Sequence, residues 1–231
     1  MNLLVYTSSN LLFNTTWRTM NTEIELKYLI PGKGSGPDVT EEAITGMLTA
    51  QAINFEADEK QLDNDYFDSD HLVLRSMNIG LRIRSQNGVY EQTIKTAGKV
   101  VGCMHQWPEY NVDIANNNLD LGLFPKQIWP NNINLLALQK SMKVLFTTNF
   151  HRKTWIINLK GCVIELALDR GTISTAPDKP ILAIDEIEIE LVSGDKKELF
   201  ILAEQLNNII ELQPGKLSKA ARGYSLYYEN K

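Results

Sequence analysis

From Glu186 to Leu191 the chain reads Glu-Ile-Glu-Ile-Glu-Leu, and an alternation that strict constrains the backbone to an extended strand. A period of two sends successive side chains to opposite faces of a strand, whereas a helix would scatter them around its axis. Glu186, Glu188 and Glu190 therefore share one face, and Ile187 and Ile189 the other. Like charges stacked on one face repel unless a cation or a basic partner answers them. Such a strand predicts a neighbour of opposite charge, a bound metal, or both.

The pattern recurs along the chain. Thr22–Ile30 sets Glu23, Glu25 and Lys27 against Ile24, Leu26 and Tyr28. Gly80–Gln86 sets Arg82 and Arg84 against Leu81 and Ile83, and Tyr90–Thr96 places Thr93 and Lys95 together beside Ile94. Further strand patterns cover 106–114, 146–158, 162–169 and 183–192, with Glu165 and Asp169 in line. Asn87-Gly88 supplies a hairpin turn between two of these runs. Helical spacing appears after Asp38 or Thr40, where Ile44, Met47 and Leu48 share a face, over 132–142, and over 193–212. Many antiparallel strands with few helices predict an α+β fold whose sheet is closed or nearly so, since closure removes exposed edges.

Charge and composition exclude several classes. A net charge of −5 over 231 residues argues against general affinity for nucleic acid or anionic membrane, so a polyanion must be held by locally placed Lys and Arg. No apolar run approaches the roughly 20 residues that span a bilayer. The two cysteines suit reduced thiols in a cytoplasmic protein. Cys103 and His105 could form half of a metal site, but no second such pair lies nearby, so a structural role is predicted. The Gly-Lys within 31–37 lacks phosphate-loop spacing and reads as a connector. Residues 1–20 are expected to be a leader without chemistry, ahead of a single domain over 21–231.

Gathered on one interior face, these side chains form two complementary sets. Carboxylates suit Mg²⁺ or Mn²⁺, hard ions taking oxygen ligands at about 2.0–2.1 Å and leaving positions for phosphate oxygens. Lys27, Arg82, Arg84 and Lys95 suit a phosphate chain, with arginine offering paired donors. A solvated face of ordinary mixed charge explains any one strand equally well, but explains several repeating it poorly.

Glu23-Ile-Glu-Leu-Lys27 resembles the opening signature of the CYTH superfamily, the triphosphate tunnel metalloenzymes. The rest of the family pattern follows in order: Tyr66-Phe-Asp68, Leu81-Arg-Ile-Arg84, Thr93-Ile-Lys95, Glu109, Phe150-His-Arg152, Glu165 with Asp169, Glu186 to Leu191, and Ser218-Lys219 through Arg222-Gly-Tyr224. The likeness is to the bacterial inorganic triphosphatase branch, without the histidine-rich helical domain that often follows there. It implies an eight-stranded antiparallel barrel, a tunnel open at both ends with helices outside, and divalent-metal-dependent hydrolysis of tripolyphosphate to pyrophosphate and phosphate. Thiamine triphosphate or nucleotide hydrolysis, adenylate cyclisation and non-catalytic polyphosphate binding are alternatives, in a monomer or homodimer.

By resemblance, Glu23, Glu25, Glu109, Glu188 and Glu190 would hold Mg²⁺ or Mn²⁺. Lys27, Arg82, Arg84, Lys95, Arg152, Lys219 and Arg222 would grip the triphosphate. Lys27, Glu165 and Asp169 would serve catalysis, the two acids by holding a second metal, by orienting water, or by balancing the tunnel cations. Trp107 stands where relatives carry an arginine, exchanging a cation for a surface that can stack on a ring.

Overall fold

The computed structural model describes residues 21–31 and 37–231. The leader, and most of the connector expected over 31–37, lie outside the described residues. Ten strands form one sheet: β1 (Asn21–Leu29), β2 (Asn54–Asp68), β3 (Gly80–Gln86), β4 (Val89–Lys95), β5 (Lys99–Val101), β6 (Met104–Ile114), β7 (Lys143–Leu159), β8 (Cys162–Ser174), β9 (Leu182–Ser193) and β10 (Gln213–Pro214). Neighbours run β1-β9-β8-β7-β2-β3-β4-β6, and β6 pairs back onto β1. Eight antiparallel strands therefore close into a barrel, with β5 added beside β6 and β10 beside β1.

Two turns set the hairpin registers. Asn87 and Gly88 take φ of 51° and 79°, and Lys160 and Gly161 take 49° and 80°. Consecutive left-handed residues give the primed turns whose twist matches flanking strands. Alternation then decides the faces: charged and polar side chains line most of the interior, with Leu62 and Tyr66 among them, and the outer face is apolar. The outward residues Leu26, Trp155, Ile164, Leu166, Ile187 and Ile189 are covered by helices α1 (Pro37–Ala50) and α4 (Lys197–Asn207) through Ile44, Leu48, Leu199, Leu202 and Leu206. Trp155 is fully buried there, and truncation to alanine would cost about 3–5 kcal/mol.

The opposite outer wall, with Leu81, Ile94 and Val112, is covered by α2 (Val73–Ser76), α3 (Leu135–Ser141) and the turns carrying Leu121 and Phe124. A third apolar cluster joins Leu62, Tyr66, Phe146, Phe150, Ile173 and Ile184 to Tyr224 and Leu226 of α5 (Lys219–Glu229). Helix α5 has no counterpart in the patterns read from sequence.

The long helix expected over 193–212 is shorter than its apolar spacing suggests. Gly194 (φ 110°) precedes it, and after Asn207 the chain turns, with the Asn207 Oδ1 accepting the Leu212 N–H at 3.3 Å. The 132–142 helix likewise contracts to α3, capped by Asn134, whose side chain accepts from the Ala137 N–H. No helix among the described residues is long and apolar enough to cross a membrane.

Candidate functional site

Pairing across the barrel lays the inward side chains in rows. One row runs His105, Glu25, Glu190 and Glu165 across β6, β1, β9 and β8. Above it Trp107 stands opposite Glu23, and below it Lys27 stands opposite Glu188. Deeper still, Glu186, Asp169 and Arg152 are neighbours. On the other wall Glu109 faces Lys95, and Asn111, Thr93 and Arg82 form a row. These rows surround a cavity of about 630 Å³ lined by all eight barrel strands and by α5.

Its deep wall is an ion cluster. Arg152 grips Asp169 with two parallel hydrogen bonds, both 2.7 Å, and reaches Glu188 at 2.5 Å. Lys219 from α5 donates to Asp169 at 2.5 Å, Glu186 at 2.6 Å and Glu188 at 2.9 Å. Lys27 donates to Glu186 at 2.9 Å and to Glu188, and Arg222 lies 3.1 Å from Glu186. Burial alone would raise Glu188, but Lys219, Lys27 and Arg152 overrule it and hold this carboxyl well below its ordinary range. Charges this deep persist because each is paired and hydrogen-bonded.

The second wall is looser. Lys95 pairs with Glu23 and with Glu109 at 3.0 Å, while Arg82 stays 3.8 Å from Glu109. Asn111 donates to Glu109 at 2.9 Å and accepts from the Thr93 hydroxyl at 2.7 Å.

Two of the charges in the lining, among those without an ion pair to another described residue, stand out. Among the described residues Arg84 makes no ion pair; its Nε donates to the Asn64 Oδ1 at 2.8 Å. Burial, then the repulsion of Arg82 and Arg152, brings its guanidinium down to about 10. Glu190 also makes no ion pair among them. Burial raises its carboxyl to about 7 against the pull of Lys95, and Glu165, Glu25 and Glu109 add to the rise.

Of the site residues expected from sequence, Glu23, Glu25, Lys27, Arg82, Arg84, Lys95, Glu109, Arg152, Glu165, Glu188, Glu190 and Lys219 all line the cavity. Asp169, with no exposed surface, and Arg222 stand behind that lining; their contacts run to Arg152, Lys219 and Glu186. Trp107 does face the cavity, backed by Gly98, where a Cβ would come within 2.4 Å of the indole. Sequence reasoning aligned Glu186 with Glu188 and Glu190 without marking it as the shared partner of Lys27, Lys219 and Arg222. It also passed over Asn64 and Asn111, polar residues without a charge pattern to expose them.

Asp169, Glu186 and Glu188 bring ligand oxygens within 4.8 Å of one another. Their oxygens already serve three buried cations, so an ion there would compete with Lys27, Arg152 and Lys219. The row of Glu25, Glu190 and Glu165 offers oxygen donors with less competition: Lys27 stays 3.9 Å from Glu25, and Arg152 3.6 Å from Glu165.

A model of the CYTH domain matches residues 21–224. An inorganic triphosphatase of Haemophilus influenzae is 34% identical over 171 residues, which make up 71% of this chain and 46% of that relative. The chain thus spans about half the length of the curated relative it matches. Among solved structures, an adenylyl cyclase candidate from Hippeastrum, described as having a dominant triphosphatase activity, superposes with a TM-score of 0.59 at 20% identity, covering 90% of this chain and 96% of its own. An adenylate cyclase candidate from Vibrio parahaemolyticus gives 0.51 at 14% identity, covering 91% and 99%. Likeness at these identities is a likeness of fold.

Proposed function

The chain belongs to the CYTH domain family, and we propose that it hydrolyses inorganic tripolyphosphate to pyrophosphate and phosphate with Mg²⁺ or Mn²⁺. The observation that carries this reading is an imbalance across one cavity: among the described residues neither Arg84 nor Glu190 makes an ion pair. A ligand that brings anionic oxygens to one wall and a divalent ion to the other corrects both.

The donor set fits such an ion. Glu25, Glu190 and Glu165 offer only carboxylate oxygens, as hard cations require, and Glu23 stands one row above. Glu109 and Glu188, also expected as ligands, are held instead by Lys95 and Arg82 and by Lys27, Arg152 and Lys219. When bound, a divalent ion neutralises phosphate oxygens and lowers the pKa of its water.

The remaining chemistry falls to the chain itself. Arg82, Arg84 and Lys95 bind the phosphate chain from one side, and Lys27, Arg152 and Lys219 from the other. Asp169 orients the Arg152 guanidinium through its two-point contact. Glu165, beside Arg152 and facing the cavity, orients the attacking water. That water adds to the terminal phosphorus as the anhydride bond breaks, releasing phosphate and leaving pyrophosphate. Positioning and charge neutralisation supply most of such a rate. The two free cysteines suit a cytoplasmic setting.

Trp107 in the lining favours a second reading, an organic triphosphate whose ring meets the indole. A phosphate-release screen of tripolyphosphate, thiamine triphosphate and ATP, each with Mg²⁺ and with Mn²⁺, separates the two. Phosphate released from none of them would reject hydrolysis, and cyclic AMP from ATP would indicate a cyclase.

A further inference from the structure

The segment that brings Lys219 and Arg222 to the cavity is fastened at two points outside the ion cluster. At its start Gly215 donates its N–H to the Lys27 carbonyl at 2.9 Å, and its own carbonyl lies 2.9 Å from the His105 Nε2. A carbonyl only accepts, so Nε2 carries the proton; the buried Nδ1 has no hydrogen-bond partner among the described residues. At its far end the Tyr224 hydroxyl donates to the Asp68 Oδ2 at 3.0 Å. Asp68 has no exposed surface and also accepts the N–H groups of Ser69, Leu74 and Arg75 at 2.7, 2.8 and 2.9 Å.

The surroundings fix this second anchor closely. The Arg75 guanidinium lies 4.9 Å from the centroid of the Tyr224 ring, and that ring meets Phe146 edge-on at 5.2 Å. Gly223 allows the approach, since a Cβ there would stand 2.2 Å from the Phe146 ring. Helix α5 has 11 residues, short enough that its order comes from docking rather than from its own propensity. Of its side chains, Lys219 reaches three carboxylates of the cluster and Arg222 one.

We propose that Asp68 and Tyr224 are positioning residues for the triphosphate site, and that their hydrogen bond, with that of His105 to Gly215, holds the 215–224 strap so that Lys219 is set to receive phosphate oxygens. This rests on the functional reading above. The strap is a cross-tie: α5 joins the turn after β2 to the β8–β9 wall, and Lys219 sits between its two fastenings.

Tyr224→Phe removes the hydroxyl and keeps the ring. The test is equilibrium binding of tripolyphosphate to metal-free protein, by calorimetry, in a double-mutant cycle with Lys219→Met. Losing a hydrogen bond to a buried carboxylate should weaken binding about tenfold in the wild-type background. In the Lys219→Met background it should change binding little, because the effect passes through Lys219. Equal weakening in both backgrounds, or none in the first, overturns the proposal. Hydrogen exchange without ligand gives an independent reading: amides 216–224 should exchange about tenfold faster in Tyr224→Phe, with β7 unchanged. Unaltered exchange there also overturns it. Wild-type protein that releases no phosphate from any triphosphate defeats the functional reading; normal turnover with unaltered Tyr224→Phe binding defeats this inference alone.

Discussion

Glu25 and Glu190 stand directly opposite each other on β1 and β9, two carboxylates paired across strands where Glu190 has no ion-pair partner among the described residues. Burial raises Glu190 to about 7, above its unfolded value, so its neutral form favours the folded state. That contribution is complete below the unfolded pKa and is lost as pH rises through about 7. Metal-free protein should therefore melt at lower temperature at pH 8 than at pH 6, and Glu190→Gln should flatten the difference. Mg²⁺ needs the carboxylate ionised, so its stabilising effect should be larger at pH 8. Scanning calorimetry at both pH values checks this; an equal Mg²⁺ shift at both would remove Glu190 from the metal site.

Glu188→Gln should behave differently. Glu188 neutralises Lys27, Arg152 and Lys219 together, and removing one member of a buried ion cluster strands the rest at about 3–5 kcal/mol. The variant should unfold at lower denaturant than wild type and recover part of that loss with tripolyphosphate. Combined with Glu190→Gln, it should lower turnover by orders of magnitude. Wild-type turnover in the double variant would refute the assignment of both residues.

Arg84→Gln tests the phosphate wall. Arg84 makes no ion pair among the described residues, so the variant should keep its melting temperature. One lost charge-assisted contact, on the order of 1.5–3 kcal/mol, should raise KM for tripolyphosphate roughly tenfold or more. An unchanged KM would place the phosphate chain elsewhere in the cavity.

Trp107→Arg tests the ring-facing surface. A cation beside Glu23 and Lys95 should lower KM for tripolyphosphate, by roughly tenfold if the new contact is shielded. A substrate that stacks on the indole, such as thiamine triphosphate, should bind less well. Equal KM values for both substrates in wild type and variant would leave Trp107 no part in selection.

The barrel interior was legible because strand parity is local: each of Glu23, Glu25, Lys27, Arg82, Arg84 and Lys95 declares its face through its immediate neighbours. Depth was not. Glu186, Glu188 and Glu190 look alike in sequence, yet one is buried behind the lining, one holds three cations, and one makes no ion pair among the described residues. That difference comes from which strands lie opposite, which a single strand does not encode. Helix α5 escaped notice because its apolar face is broken by Lys219 and Arg222, residues placed to meet the tunnel. The Asp68–Tyr224 bond joins positions 156 residues apart, beyond any local spacing. Helix α4 was overextended because Ile209 and Ile210 continue its apolar rhythm past the turn at Asn207.

The ion cluster around Lys219 has a consequence for how a ligand arrives and leaves. Lys27, Arg152 and Lys219 already hold Asp169, Glu186 and Glu188, so an incoming polyanion swaps counter-ions instead of filling bare charge. Under the proposed function the interior would work as an ion-exchange resin of fixed capacity. A longer, more highly charged chain would displace the resident carboxylates; shorter fragments would compete less well, and the carboxylates would reclaim their cations as the fragments depart. Cleavage would thereby regenerate the resin, and product release would follow from the same lattice of charges that admits the substrate.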